Sequence, residues 1–233
     1  LMLQELKCVT EAFPSEPFEN MGYNLAIHGQ KTYNGVAILT KAPIEEKITT
    51  FPGQESDPQA RYLEIFSGGR RLVSVYVPNG QEVGTDKYAY KLDFYKNLAA
   101  HGATLLSYEE DLVIGGDFNV APHLSDAYDS SLFEKDRILC SMAEREAFQT
   151  LMHKVFIDII HATNPPHTYT WWDYRAGSYP ANKGMRIDHF LIAPQTADRV
   201  VKAYVDTEPR GWQRPSDHTP ICLELRPHKD MSL

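Results

Sequence analysis

The chain has 233 residues, of which 42% are apolar and 23% charged, and its formal net charge at pH 7 is −8. That length suits one sizeable layered domain spanning 1–233, and the composition excludes disordered, collagen-like and membrane-embedded classes. The acidic balance excludes a uniformly basic polyanion binder. β-rich apolar runs predict strands over 1–6, 23–28, 36–40, 62–66, 72–77, 112–115, 187–193, 200–205 and 221–225. Several alternate, as in 72–77, while Leu112-Val113-Ile114 is a continuous apolar run suited to a strand covered on both faces. Helical spacing predicts a helix over 86–107, with Tyr90, Phe94, Leu98 and Leu105 on one face. A second helix is predicted over 136–154, with Ile138, Leu139, Met142, Phe148 and Leu151 inward. Strands that pair into two sheets with helices outside make an α/β sandwich.

No run is long enough to span a bilayer, and Leu1-Met2-Leu3-Gln4-Glu5 lacks the basic and apolar regions of a signal peptide. Cys8, Cys140 and Cys222 are odd in number and far apart, which argues against a disulfide framework or zinc cluster and for a reducing, cytoplasmic setting. Arg175, Lys183, Arg186, Arg199, Lys202, Arg210 and Arg214 are spread among the later segments. They read equally well as a local basic rim and as scattered solvated charges.

Four separated stretches place acid, amide or imidazole groups at predicted strand ends: Gln4 to Lys7, Gly115 to Asn119, Arg186 to Phe190 and Ser216 to Pro220. Phosphodiester hydrolysis needs a hard cation, a base and donors aimed at phosphate, and these stretches contain such parts. Glu5 suits Mg²⁺, which takes few protein oxygens and keeps waters; otherwise it caps the following segment. The spacing of two points Asp117 and Asn119 the same way if the segment is extended, a base beside an amide donor. The alternative is a Gly-Gly turn with Asx hydrogen bonds. Asp188 is the natural partner to fix the tautomer of His218, whereas His189 faces the other way on an alternating strand and reads as an ordinary polar residue. Tyr76 and Asn79, around the strand end at Val77-Pro78, offer a hydroxyl and an amide to phosphate oxygens, or else a core tyrosine and an ordinary turn.

On LQELK (3 to 7), NGVAIL (34 to 39), YVPNG (76 to 80), GGDFNVAP (115 to 122), TYTWWDYR (168 to 175), GMRIDHFL (184 to 191) and PSDHTP (215 to 220), the chain resembles the endonuclease/exonuclease/phosphatase superfamily. Within it, the chain is similar to the bacterial exodeoxyribonuclease III, or class II abasic-site endonuclease, family. The resemblance implies a DNase I-like four-layer α/β sandwich, two packed mixed sheets flanked by helices. It implies a Mg²⁺-dependent DNA repair hydrolase, Mn²⁺ being a substitute, that cuts duplex DNA 5′ to an abasic site and trims or cleans 3′ ends in the 3′ to 5′ direction. It gives Glu5 the role of metal ligand with Asp217 beside the metal, and Tyr76, Asp117, Asn119, Asp188 and His218 the catalytic roles. Asn79, Arg186, Trp171 and Met185 are assigned to substrate, the last two flanking a pocket for a flipped-out sugar.

The chain starts inside what resembles the family's second strand. It lacks the preceding ~30 residues, including a strand with an Asn near the metal, which would leave neighbouring strands with an unpaired edge. A monomer is expected, with a partner chain as the alternative filler of that edge. The competing functional readings are a phosphatase or phosphodiesterase on a phosphoinositide, sphingolipid or nucleotide, and a weakly active or inactive DNA-binding relic.

Overall fold

Side-chain alternation along the strands decides which layer each residue enters. A computed structural model describes residues 1–227. The strands are β1 (Met2–Gln4), β2 (Asn24–His28), β3 (Val36–Thr40), β4 (Ile44–Ile48), β5 (Tyr62–Ser67), β6 (Arg70–Tyr76), β7 (Asp111–Asp117), β8 (Ile157–Asp158), β9 (Asp188–Ile192), β10 (Val200–Val205) and β11 (Ile221–Leu225). The helices are α1 (Ser15–Asn20), α2 (Asp86–Leu106), α3 (Ser131–Glu134), α4 (Met142–Met152), α5 (Ile159–Thr163) and α6 (Pro194–Ala197).

A six-stranded mixed sheet runs β4-β5-β6-β7-β9-β8, a three-stranded sheet runs β1-β3-β2, and β10 pairs with β11. On the large sheet, Tyr62, Val73, Val75, Leu112 and Ile114 point to one face and bury against Phe94, Leu98 and Leu105 of α2 and Phe148 and Leu151 of α4. On the other face, Leu63, Ile65 and Leu72 meet Val36 and Ile38 of β3, while Val113 and Ile192 meet Ile221 and Leu223 of β11. The opposite face of β3, Ala37 and Leu39, is covered by Phe13 and by Phe18 of α1. The four layers are therefore helices, large sheet, smaller sheets and the α1 segment. No described helix is long and apolar enough to cross a membrane.

Nine of the strands lie where the alternation places them, and two do not follow from it. β4 is Ile44-Glu45-Glu46-Lys47-Ile48, largely exposed at the sheet edge, where charge protects against further pairing and hides the apolar period. β8 is two residues long. The second helix starts later than its apolar pattern suggests: Ser141 caps α4 in a reciprocal capping box with Glu144, so Ile138 and Leu139 precede it and Met142 is 60% exposed. The second layer is also not one continuous sheet. Among the described residues β1 pairs only with β3, and β11 only with β10.

Candidate active site

Three neighbouring strands of the large sheet end level with one another. In the ladder Tyr76 of β6 lies opposite Asp117 of β7, and Asp117 lies opposite Asp188 of β9. Cross-strand neighbours point to the same face, so a phenol and two carboxyls stand side by side. Gly115 and Gly116 make this packing feasible rather than a close approach to ligand. A Cβ on Gly115 would come within 2.5 Å of the Phe190 ring, and one on Gly116, at φ 141°, within 2.0 Å of the Val75 carbonyl.

Beyond β7 the chain turns through Asn119, a buried residue with the left-handed φ of 50° that asparagine tolerates. Its backbone N–H donates to Asp117 Oδ1 at 2.8 Å, and its Nδ2 to Asp117 Oδ2 at 3.0 Å and the Val77 carbonyl at 2.9 Å. Asn79 Nδ2 donates to Asn119 Oδ1 at 3.1 Å, so the two amides form one unit beside Asp117. Underneath lies Lys91 of α2, fully buried, whose Nζ donates to the carbonyls of Asn79 at 3.1 Å and Asn119 at 2.6 Å and pairs with Glu144 of α4. All three ammonium protons are used, and one buried cation holds both amide-bearing loops from below.

Glu5 and His218 complete the cluster from other segments. Glu5 follows β1, with its Oε2 2.9 Å from Lys7 Nζ. Burial alone would raise its pKa, but hydrogen bonds from Lys7 and Tyr76 and the Lys7 charge hold it below the ordinary value. The Tyr76 hydroxyl is pushed up by burial and then by the charges of Glu5 and Asp117. His218 Nδ1 lies 2.9 Å from Asp188 Oδ2, and its Nε2 faces Asp117 Oδ2 at 3.9 Å. Burial opposes its protonation, but the charge and hydrogen bond of Asp188 and the charges of Asp117 and Asp217 raise it to about 10. Asp117 is raised to about 7 by burial, against the pull of His218, with the Asp188 charge adding to the rise. Asp188 is itself held by the Thr170 hydroxyl, which accepts the N–H groups of Ile187 at 3.1 Å and Asp188 at 3.2 Å.

One ligand atom each from Glu5, Asp117 and His218 lie within 4.8 Å of one another. With Asp188 committed to His218, the carboxylate oxygens of Glu5 and Asp117 are a donor set that fits a hard divalent ion with few protein ligands and retained waters. Asp217 is outside that trio, its Oδ2 accepting the Trp171 indole N–H at 3.1 Å.

Two of the substrate-side assignments meet a different environment. Arg186 is 2% exposed, donating to Asp126 Oδ1 and Oδ2 at 2.9 Å and to Asp158 Oδ2 at 2.7 Å, so its guanidinium is closed to substrate. His189 does point away from Asp188, but it joins this network rather than standing as an isolated polar residue: Nδ1 lies 2.9 Å from Asp158 Oδ2 and Nε2 3.0 Å from the Val120 carbonyl. Met185 is buried beside Ala127 and Ile187, leaving partly exposed Trp171, bridged to both Met185 and His218, as the accessible wall. The basic rim thins for the same reason. Arg186 and Arg210 are buried, Arg175 pairs with Asp173 and Arg199 with Asp111, while Lys183 and Arg214 are exposed. Lys91, Glu144, Thr170, Asp126 and Asp158 escape a sequence reading because each is an ordinary polar residue until the fold brings its partners to it.

With this geometry, the model of the Endonuclease/Exonuclease/phosphatase family matches residues 1–218, and the chain belongs to that family. It is a nuclease of the exodeoxyribonuclease III type, and this type is metal-dependent. The Haemophilus influenzae "Exodeoxyribonuclease III" is 33% identical over 96% of this chain and 88% of its own length. Among solved structures, a 3′ phosphatase from Neisseria bound to product DNA hairpin superposes with a TM-score of 0.94 at 35% identity, over 97% of this chain and 88% of that one. An AP endonuclease from Archaeoglobus fulgidus gives 0.89 at 30% identity over the same shares of the two chains.

Proposed function

We propose that the chain is a Mg²⁺-dependent DNA repair nuclease, with Mn²⁺ as a working substitute, that cuts duplex DNA 5′ to abasic sites and removes nucleotides or blocking phosphates from 3′ ends. The observation that carries this reading is the in-register row Tyr76–Asp117–Asp188 with Glu5 and His218 closing over it. A divalent ion held by Glu5 and Asp117, with Asp217 near it, would supply charge to the scissile phosphate and its leaving oxygen.

The protein groups divide the remaining work. His218, kept cationic by Asp188, aims its Nε2–H at the space over Asp117, where a phosphate oxygen gains negative charge as attack proceeds. Asp117 presents its Oδ2, the oxygen facing that imidazole, to the attacking water or the leaving oxygen, with the Asn119 amide beside it. Asn79, Asn119 and Tyr76 hold water and phosphate oxygens in line, and Trp171 walls the space for a sugar without its base. An intact base would be too large for that space, which separates abasic from undamaged nucleotides. DNA approaches over Lys183 and Arg214. A single-domain monomer suits the reading, and the three unpaired cysteines suit a reducing cytoplasm.

The test is cleavage of matched abasic duplex, intact recessed duplex and 3′-phosphorylated duplex, with Mg²⁺ and with chelator. Metal-dependent turnover of all three is expected. Turnover of a phosphoinositide or free nucleotide with none of these DNA substrates cut would replace DNA as the substrate class.

A further inference from the structure

A second group of side chains outside this site also has metal-binding chemistry. His123 precedes the short turn Leu124–Asp126, and His161 lies in α5. Their rings stack with centroids 4.0 Å apart and planes 18° apart, and one nitrogen of each lies within 4.8 Å of the other and of an Asp126 carboxylate oxygen. Asp126 is buried and fixed, its Oδ2 accepting Arg186 Nη2 at 2.9 Å and the His123 backbone N–H at 3.0 Å. Among the described residues its Oδ1 meets a single N–H, that of Arg186 Nε, and a carboxylate oxygen has room for two partners.

Two buried carboxylates, Asp126 and Asp158, share the guanidinium of Arg186, and Asp158 also pairs with His189. We propose that His123, His161 and Asp126 form a second metal site, for a borderline transition ion such as Zn²⁺ or Co²⁺ rather than for Mg²⁺. Two imidazoles and one carboxylate are a donor set for such ions, whereas Mg²⁺ prefers oxygen. Zn–N bonds of ~2.0–2.1 Å in a tetrahedron put ligand atoms ~3.4 Å apart, so from separations within 4.8 Å the trio closes by at most ~1.4 Å. Parallel rings cannot both aim at one point, and His161 is the exposed ring that turns. Ala127 bridges Met185, and the Asp126 carbonyl accepts the Arg186 N–H at 2.8 Å, so a bound ion would brace the segment that carries the pocket.

The test is Zn²⁺ calorimetry and Co²⁺ visible absorption on untagged protein in excess Mg²⁺, comparing wild type, His161→Asn, His123→Gln and Glu5→Gln. Wild type and Glu5→Gln should bind one Zn²⁺ that Mg²⁺ does not displace, and His161→Asn, a surface change that spares folding, should lose about tenfold or more in affinity. Equal Zn²⁺ affinity and stoichiometry in His161→Asn and wild type would overturn the site. So would loss of the ion in Glu5→Gln alone, or no Zn²⁺ bound by wild type beyond what Mg²⁺ displaces.

Discussion

Two histidines of this molecule are each paired through Nδ1 with an aspartate at 2.9 Å, His218 with Asp188 and His189 with Asp158, yet their surroundings are opposite. The difference lies at the other nitrogen. His189 Nε2 is tied to the Val120 carbonyl, its carboxylate partner is neutralised by Arg186, and every group is buried. His218 Nε2 instead faces a second carboxylate, Asp117, across 3.9 Å, beyond hydrogen-bond length. A satisfied pair stabilises; in the function proposed above, the unsatisfied one holds a field that a reacting phosphate would complete. Asp188 and His189 are adjacent in sequence and serve opposite sides of this contrast, because alternation on β9 sends one to the site and the other to the core.

The comparison breaks most visibly at the chemistry. Asp117→Asn and His218→Ala should each lower turnover by on the order of a hundredfold or more, with the double variant losing less than the product of the two. A strictly multiplicative double loss would separate the two residues. Removing Asp117 should not destabilise the fold. A carboxyl whose folded pKa is raised gives up stability as pH rises from its unfolded value through about 7, so in Mg²⁺-free buffer Asp117→Asn should melt above wild type at pH 8 and lose that advantage near pH 4.

The structural twin should answer in the opposite currency. Arg186→Met leaves Asp126 and Asp158 facing each other in the core, and urea unfolding should show a loss of about 3–5 kcal/mol, with turnover per folded molecule largely kept. Asp158→Asn is the milder version. Burial opposes ionisation of Asp158, but the charges of Arg186 and His189 hold its carboxyl below the ordinary value, so its stabilisation is present above the usual carboxylate range and fades as pH falls below it. The gap between wild type and Asp158→Asn should therefore narrow in acid. A gap constant from pH 7 to pH 3 would show that the charge of Asp158 is not what matters.

Between the two regions sits Lys91. Lys91→Met should destabilise and slow the enzyme, and adding Glu144→Gln should restore most of the stability by removing the stranded carboxylate. Turnover should stay about tenfold low with KM little changed, since the carbonyls of Asn79 and Asn119 still lack their donor. Full recovery of turnover in the double variant would make the pair purely structural. Glu5→Gln should raise the Mg²⁺ concentration for half-maximal turnover, measured by metal titration, and unchanged demand would remove Glu5 as ligand. The smallest effect expected is selective: Trp171→Ala should reduce abasic cleavage several-fold more than 3′ trimming, and equal losses would make Trp171 packing only.

Much of this was legible because strand ends are legible. The apolar run at Leu112 to Ile114 and the alternation at Leu72 to Val77 set the ends at which Asp117 and Tyr76 stand, and the parity of β9 separates Asp188 from His189. Partners were not legible. Arg186 reads as a surface cation, and only the fold shows two carboxylates around it. Lys91 stands on the inward face of α2 with Phe94 and Leu98, but its charge reads as exposed until the fold supplies Glu144 and two carbonyls. The start of α4 was available in the Ser141-Met142-Ala143-Glu144 capping box, which outweighs the apolar spacing before it.

The row Tyr76–Asp117–Asp188 has a further meaning. Its spacing is that of hydrogen-bonded strands, ~4.8 Å, a length no substitution in the site can alter without dismantling the sheet. The sheet thus acts as a fixed ruler for the three groups that stand on it. What borders the ruler is not bound by that length, above all the largely exposed stretches from Asp173 to Lys183 and from Gly211 to Arg214. Lineages built on this frame would change what they hold far more readily than what they do to it.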